Sequence, residues 1–206
     1  MSLFGFSGSG HDAGVTRGHG TAVPRPGPLA SFPARFEEFD RRVDDWWEQW
    51  RGHELVDRVF YGASEAGDFG LLWIAIGATE AALGPHRKTV ALLRLAGALG
   101  AESLIVNVGL KSLFRRERPI WAQSRPHALR KPRTTSFPSG HASSAITALI
   151  LLTDGGTPLA VLYGALAAIV ATSRVHVKIH HASDVIGGLG VGLVLGAAIK
   201  QLIPLS

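Results

Sequence analysis

The sequence predicts an all-α fold, a polytopic membrane helix bundle of about five spanning helices with an amphipathic interfacial helix before them. Apolar residues make up 46% of the 206 residues, and five stretches after residue 68 are nearly free of charge. No segment shows the alternation of apolar and polar residues that is typical of a half-buried strand. Helices are therefore expected throughout the folded part of the chain.

The N-terminal part divides into two segments. Residues 1–33 are rich in Gly, Pro and Ser, a composition that buries little surface, and they are predicted to be a disordered tail without a secretory signal. Residues 34–61 space aromatic and aliphatic side chains by three or four among charged ones, which predicts an amphipathic helix. Tryptophan beside arginine is typical of a membrane interface; a soluble helix packed on the domain is the alternative.

The candidate spanning helices are the five apolar stretches, at residues 69–84, 90–110, 142–153, 159–172 and 185–204. A spanning helix needs about 20 apolar residues, so several stretches reach across only if their polar ends are included. The last stretch is rich in glycine, which permits close helix packing in a membrane. A soluble all-helical enzyme is the alternative, although a soluble bundle needs a polar face on each helix.

Three polar clusters interrupt the apolar part, at residues 111–119, 138–141 and 173–184. The first ends the second stretch, the second begins the third stretch, and the third joins the fourth stretch to the fifth. In an up-and-down bundle, all of these helix ends lie on the same side. Topology alone therefore brings the three clusters to one face, where we predict a single site.

The residue types in the clusters suit a multiply charged anion. Lys111, Arg118 and Arg174 offer three cations, and an arginine fork matches phosphate. Ser139 and Gly140 open a predicted helix, whose free amides and dipole favour an anion.

The same clusters contain the groups for phosphoryl transfer. His180 and Asp184 are four residues apart at a predicted helix start, so they can share a face, with the carboxylate fixing the imidazole tautomer. His180 is then a nucleophile. His141 is a second titratable group, suited to protonating a leaving oxygen.

Written as patterns, the clusters read KxxxxxxRP, PSGH and SRxxxxxHxxxD, and this signature resembles the type 2 phosphatidic acid phosphatase (PAP2) superfamily. The resemblance covers roughly residues 69–205 and implies one membrane phosphatase domain over residues 34–206. Two features depart from the common pattern. His176 and His181-Ala182 replace an aromatic residue and Tyr-Pro, which alters the expected pocket wall, and five spans are counted where many relatives have six.

The resemblance also implies the role of each residue. His180 would form a phosphohistidine, Asp184 would orient it, and His141 would protonate the leaving alcohol and later act as the base toward water. The residues implied to hold the phosphate are Lys111, Arg118, Ser139, Gly140 and Arg174. Members of the family need no metal, so neither a metal nor another cofactor is expected.

The charge pattern bears on partners. The net charge of +5 and pI near 10.1 favour an anionic partner. Outside the predicted site, the basic residues of this region are Arg115, Arg116, Arg125, Arg130, Lys131 and Arg133. With little aromatic interleaving and no nucleic-acid motif, this patch indicates attraction to anionic lipid headgroups, and no nucleic-acid partner is expected.

The remaining polar residues allow other interpretations. Arg94, Glu102 and Asn107 lie within an apolar stretch and are expected to form hydrogen bonds between helices. A zinc site made of His141, His180, His181 and Asp184 is an alternative. So are a vanadium haloperoxidase, which shares the anion site, and a scaffold protein without catalysis.

The charge distribution also predicts an orientation in the cell membrane. The site end carries most of the Lys and Arg, whereas the opposite side carries only Arg87, Lys88 and Lys200. By the positive-inside rule the site faces the cytoplasm. The short chain resembles small actinobacterial members of the family, which implies a polyprenylphosphoryl-phosphoribose substrate in cell-wall synthesis. Phosphatidate, phosphatidylglycerophosphate and polyprenyl diphosphate stay open, as does the oligomeric state.

Overall fold

The computed structural model describes residues 32–120, 129 and 134–205. Within these ranges seven α-helices form, in chain order: α1 Ala34–Glu48, α2 Glu54–Ala66, α3 Leu71–Leu83, α4 His86–Leu113, α5 Gly140–Leu152, α6 Ala160–His176 and α7 Ala182–Leu202. No strand occurs in this part of the chain, so the all-α prediction holds for it. Nearly all of the predicted tail lies outside the described residues, as do Arg125, Arg130, Lys131 and Arg133.

Two of the described helices are long and apolar enough to cross a membrane, namely α4 with 28 residues and α7 with 21. Helices α2 and α3 pass the same test together, although the chain bends by 63° between them. Helices α5 and α6 are apolar but shorter, with 13 and 17 residues. The five apolar stretches thus correspond to α3–α7, while length and composition alone identify two or three spans.

The prediction of one helix over residues 34–61 is wrong, because the chain breaks between α1 and α2. Gly52, between the two helices, has a φ of +86°, a left-handed conformation through which a right-handed helix cannot continue. Its amide donates to the Asp57 carboxylate at 3.2 Å. The Arg51 guanidinium donates to two carbonyls at the end of α6, at 2.9 and 3.0 Å. These contacts with α6 cannot be read from the apolar spacing.

A sharp bend between α2 and α3 positions residues at the site. It consists of the short 3₁₀ turn Asp68–Gly70, in which Phe69 and Gly70 have φ of 57° and 71°. Left-handed backbone cannot continue an α-helix, so α3 begins two residues later than the predicted stretch. A Cβ on Gly67 would stand 2.8 Å from the ring of His141. The bend therefore packs directly on the first turn of α5.

Helix α5 is the centre of the bundle and packs against α4, α6 and α7. Its Ala142, Ala145 and Ala148 have no exposed surface. Helix α7 approaches it most closely, since a Cβ on Gly192 would overlap the carbonyl of Ser143. Small residues on facing helices permit this approach, as expected for packing within a membrane.

The helix ends that carry the polar clusters differ from the predicted bounds. Helix α6 continues four residues beyond the predicted stretch, so Arg174 lies on its last turn. Helix α7 begins two residues after His180, so the prediction that His180 and Asp184 share a helical face is wrong. Helix α4 contains a π-helical turn, Ile105–Leu110, which the apolar pattern does not predict. Only packing against the neighbouring elements fixes these details.

Candidate active site

The polar ends of α4, α5 and α6 and the loop before α7 meet around one cavity of about 690 Å³. Six of the eight predicted site residues line it: Lys111, Arg118, Gly140, His141, Arg174 and His180. The other two, Ser139 and Asp184, are fully buried. The three polar clusters thus converge, as the up-and-down topology predicts.

His180 lies in the loop before α7, with 3% of its surface exposed. Its Nε2 is 3.3 Å from Nη1 of Arg118, and its Nδ1 is 3.6 Å from Oδ2 of Asp184, beyond hydrogen-bond reach. Burial, helped by the charges of Arg118 and Arg174, lowers the pKa of His180 well below its ordinary value, although Asp184 opposes the shift. The imidazole is therefore neutral at neutral pH, the form that acts as a nucleophile.

Asp184 is held by donors other than His180. Its Oδ1 accepts from Nη1 of Arg116 at 2.6 Å. Its Oδ2 accepts from the hydroxyl of Ser136 and from the amide of His181, the latter at 2.8 Å, in a capping arrangement at the start of α7. Asp184 therefore lies close to His180, as predicted, but it does not form a hydrogen bond with the imidazole.

Arg116 is a buried part of this network, so its assignment to a headgroup-attracting surface patch is wrong. Its guanidinium binds the Ser183 hydroxyl at 2.7 Å and Asp40 of α1, in addition to Asp184. Asp40 also accepts from the amide and hydroxyl of Ser183, both at 2.7 Å. The adjacent Arg115 is exposed. Because Arg115 and Arg116 are adjacent residues of the same type, the sequence does not show which of them is buried.

His141 lies on the first turn of α5 and is held from the end of α2 and from the bend that follows it. Its Nε2 is 3.1 Å from the carbonyl of Ser64 and 3.1 Å from the carboxylate of Asp68. Arg174 bonds the hydroxyl of the same Ser64. Sequence reasoning missed Ser64 and Asp68, because they belong to none of the three motifs and only the bend brings them to the site.

The predicted phosphate-binding cations reach the cavity from different elements. Nζ of Lys111 donates to Asn107 at 2.9 Å and to the Thr134 hydroxyl at 3.3 Å. Arg118 donates to three backbone carbonyls at 2.8, 3.1 and 3.1 Å. Arg174 is 3% exposed on the last turn of α6. These contacts fix the positions of the cations, a form of preorganisation for a bound anion.

The start of α5 supplies backbone donors. The hydroxyl of Ser139 accepts from the amide of Ala142 at 3.5 Å, while the amide of Ser139 donates to the Asp184 carbonyl at 3.0 Å. The first-turn amides of Gly140 and His141 have no acceptor within the helix. Since Gly140 lines the cavity, the positive end of the helix dipole faces any anion there.

His176 lies outside the cavity wall, contrary to the predicted pocket position. Its Nδ1 accepts from Nε1 of Trp47 at 2.7 Å, and its Nε2 is 2.7 Å from Asp57. Its ring stacks on Phe60 with a centroid distance of 4.8 Å. His176 therefore ties α1 and α2 to the end of α6.

The zinc alternative finds no support in the geometry of the described residues. Among them, no group of three or more His, Asp or Glu side chains is arranged to hold a metal ion. Nε2 of His181 faces the carbonyl of Glu117 at 3.3 Å.

Known proteins resemble this chain in sequence. A model of the PAP2 superfamily matches residues 91–206, more than half of the chain. The chain belongs to the PAP2 superfamily. Decaprenylphosphoryl-5-phosphoribose phosphatase of Mycobacterium tuberculosis is 32% identical over 154 residues, which cover 72% of this PAP2 chain and 84% of that protein. Phosphatidylglycerophosphatase B of Bacillus subtilis is 28% identical over 156 residues, which cover 70% of this chain and 74% of that protein.

Solved PAP2 structures share the fold. The transmembrane PAP2 type phosphatidylglycerolphosphate phosphatase from Bacillus subtilis superposes with a TM-score of 0.62 at 25% identity, over 82% of this chain and 87% of that chain. Aquifex aeolicus LpxE superposes with a TM-score of 0.65 at 20% identity, over 84% of this chain and 98% of that chain. At this identity the similarity concerns the fold alone. This PAP2 protein is an integral-membrane lipid phosphatase. The haloperoxidase alternative is not favoured, because the curated relatives are named as phosphatases.

Proposed function

We propose that this PAP2 phosphatase removes the terminal phosphate of a membrane lipid, a phosphomonoester or diphosphate, through a phosphohistidine at His180. The observation that carries the proposal is the convergence of a neutral His180, a second histidine and three fixed cations around one cavity. Preorganised cations stabilise the charge on a transferring phosphoryl group without reorganisation during the reaction.

In the first step, Nε2 of His180 attacks phosphorus while the bond from phosphorus to the lipid oxygen breaks. His141 donates a proton to that leaving oxygen. Nε2 of His141 faces a carbonyl and the Asp68 carboxylate, so it carries a proton and leaves Nδ1 to exchange one with the substrate. The Asp68 carboxylate, 3.1 Å from Nε2, orients the ring for this transfer.

In the second step, water attacks the phosphorus of the phosphohistidine, and its proton passes to His141. The bond between nitrogen and phosphorus breaks, which releases phosphate and restores neutral His180. Asp184, 3.6 Å from Nδ1, stabilises the positive charge that the phosphorylated ring carries. Through both steps the phosphate oxygens are bound by Lys111, Arg118, Arg174 and the amide of Gly140, while Ser139 caps the helix that presents this amide.

A lipid-linked phosphoribose is the substrate that we place first. The Mycobacterium tuberculosis relative is named for decaprenylphosphoryl-5-phosphoribose and the Bacillus subtilis relative for phosphatidylglycerophosphate. A cavity of about 690 Å³ accommodates a polar headgroup as well as the phosphate. Phosphatidate and polyprenyl diphosphate carry the same terminal phosphate and belong in the same test.

We further propose that residues 34–206 form one domain in which α3–α7 cross the bilayer and α1 lies at the interface. Helices α3 and α5 each measure about 20 Å at 1.5 Å per residue, so flanking residues complete their spans. Trp46 of α1 and Trp50, in the turn after it, are 55% and 43% exposed, which suits an interfacial position.

The proposed orientation places the site at the cytoplasmic face of the plasma membrane. The site end carries Lys111, Arg115, Arg116 and Arg118, and the chain from there to residue 133 adds further basic residues. The opposite end carries Arg87, Lys88 and Lys200. The positive-inside rule supports the cytoplasmic side.

The test is phosphate release in detergent micelles from four lipids: a polyprenylphosphoryl-phosphoribose, phosphatidylglycerophosphate, phosphatidate and polyprenyl diphosphate. EDTA is present throughout, and His180→Ala is compared with the wild type. His86→Ala, which removes an exposed histidine at the opposite end, is the matched control. We expect release from at least one lipid in the wild type and the control and none with His180→Ala. Release that survives His180→Ala would overturn the proposed nucleophile.

A further inference from the structure

The cavity wall contains a carboxylate that the proposed phosphoryl transfer does not use. Glu102 of α4 lines the cavity together with the phosphate-binding cations, yet only 4% of its surface is exposed. Its Oε1 is buried and makes no hydrogen bond of normal geometry among the described residues; the nearby Ser143 hydroxyl, in the same situation, interacts with this carboxyl group. The contact with Ser143 of α5 is of the interhelical kind that the sequence predicts, and it leaves further acceptor capacity on the Glu102 carboxyl group.

An unsatisfied buried acceptor is costly unless a partner binds it. Leaving such a group unpaired destabilises the folded protein, and more so when the group is charged. The two other polar residues of the apolar stretch each have a charged partner, although the buried Nη1 of Arg94 also lacks a hydrogen bond among the described residues. Arg94 pairs with Asp154 at 2.6 Å, and Asn107 accepts from Lys111 at 2.9 Å. Glu102 differs because it lines the cavity and its Oε1 can still accept a hydrogen bond from a bound molecule.

The position of Glu102 along α4 indicates what would bind there. Lys111 and Glu102 are nine residues apart, a rise of about 13 Å, and Ser103 and Asn107 line the cavity between them. Phosphate belongs near Lys111, where the cations cluster. The oxygens of Glu102 accept hydrogen bonds from neutral hydroxyl groups, and in its ionised form the side chain also repels a second phosphate.

We infer that Glu102, with Ser103 and Asn107, forms a subsite for the hydroxyl groups of a polyol headgroup and thereby selects the substrate. This inference rests on the proposed function and adds the substrate class to it. A ribose or glycerol unit next to the terminal phosphate would donate its hydroxyls to Glu102. A diphosphate would instead bring its second anionic group toward the carboxylate, so the same residue rejects it.

The experiment compares kcat/KM of the wild type, Glu102→Leu and Glu102→Gln on the four lipids of the panel. Leucine removes the acceptor, whereas glutamine removes the charge but keeps a carbonyl acceptor. Glu80→Gln is the matched control, since Glu80 bonds Tyr163 and Lys88 away from the cavity. The unfolding temperature in detergent shows whether each variant is folded.

We expect Glu102→Leu to lower kcat/KM at least tenfold on the phosphoribose lipid, with a smaller loss on phosphatidylglycerophosphate and a change below about threefold on phosphatidate. Glu102→Gln should raise kcat/KM on the diphosphate relative to the phosphoribose lipid. Equal losses on all four lipids, or no change on any, would overturn the inference. Phosphate release by the wild type and its loss in His180→Ala test the proposed function in the same assay. The Glu102 variants test the subsite, so failure of the subsite can be distinguished from failure of the proposed function.

Discussion

At the scale of single residues, Arg116 decides how Asp184 meets the nucleophile. Arg116→Ala would leave Asp40 and Asp184 as uncompensated buried carboxylates. Breaking a buried pair in this way costs about 3–5 kcal/mol in the free energy of unfolding. We expect that loss together with a decrease of tenfold or more in kcat/KM, measured by thermal unfolding and phosphate release in detergent.

The neighbouring Arg115 is exposed and provides the control for this prediction. Arg115→Ala should change the free energy of unfolding by no more than about 0.5 kcal/mol, as is usual at surface positions. Similar losses in both variants would mean that the network around Asp184 is not what Arg116 stabilises.

Also at this scale, the lowered pKa of His180 makes stability depend on pH. The unfolded chain binds a proton at this histidine below about pH 6.5 and the folded protein does not, so acid favours unfolding. His180→Asn removes this effect. Between pH 6.5 and pH 5 we expect the variant to gain about 1.1 kcal/mol per pH unit relative to the wild type.

The measurement is denaturant unfolding of both proteins in detergent across that pH range. A difference between them that does not vary with pH would show that His180 takes up its proton equally in the folded and unfolded states. His86→Asn is the matched control for the removal of an exposed histidine.

At the scale of elements, glycines set the distance between α5 and α7. A Cβ at Gly192 would overlap the Ser143 carbonyl, whereas a Cβ at Gly190 meets nothing within 4 Å. Gly192→Ala should therefore separate the helices and lower the free energy of unfolding by about 1–3 kcal/mol. Gly190→Ala should be neutral or stabilising by up to about 1 kcal/mol, because alanine favours a helix.

Thermal unfolding of the two glycine variants in one detergent provides the comparison. Because α5 carries His141 and α7 follows His180, we also expect Gly192→Ala to reduce phosphate release more than Gly190→Ala does. An equally stable Gly192→Ala protein would show that the two backbones are not in close contact.

At the scale of the whole molecule, the orientation of the bundle decides which membrane face holds the site. The chain has no cysteine, so a single introduced thiol reports one position. We expect a membrane-impermeant maleimide to label Pro158→Cys, in the loop between α5 and α6, but not Arg115→Cys in intact cells. Both should be labelled after the membrane is permeabilised. The reverse pattern would place the site on the outer face.

The sequence by itself determined the helical class, the approximate positions of α3–α7 and the chemical inventory of the site. These are local properties, because apolar runs and motif spacing are read along the chain without knowledge of distant contacts. The up-and-down order of the stretches was sufficient to predict that Lys111, His141 and His180 face one cavity. The same local signals placed one helix across residues 34–61, where the structure has a break.

Only the tertiary structure decided which charged residues are buried and what they bind. Arg116 meets Asp40 across 76 residues of chain, and His141 meets Ser64 across 77, so neither contact leaves a local pattern. Arg115 and Arg116 are adjacent and identical in type, yet one is exposed and the other buried. The difference arises because burial of a charge is tolerated only where partners from other helices converge, and that convergence is a property of the packed bundle.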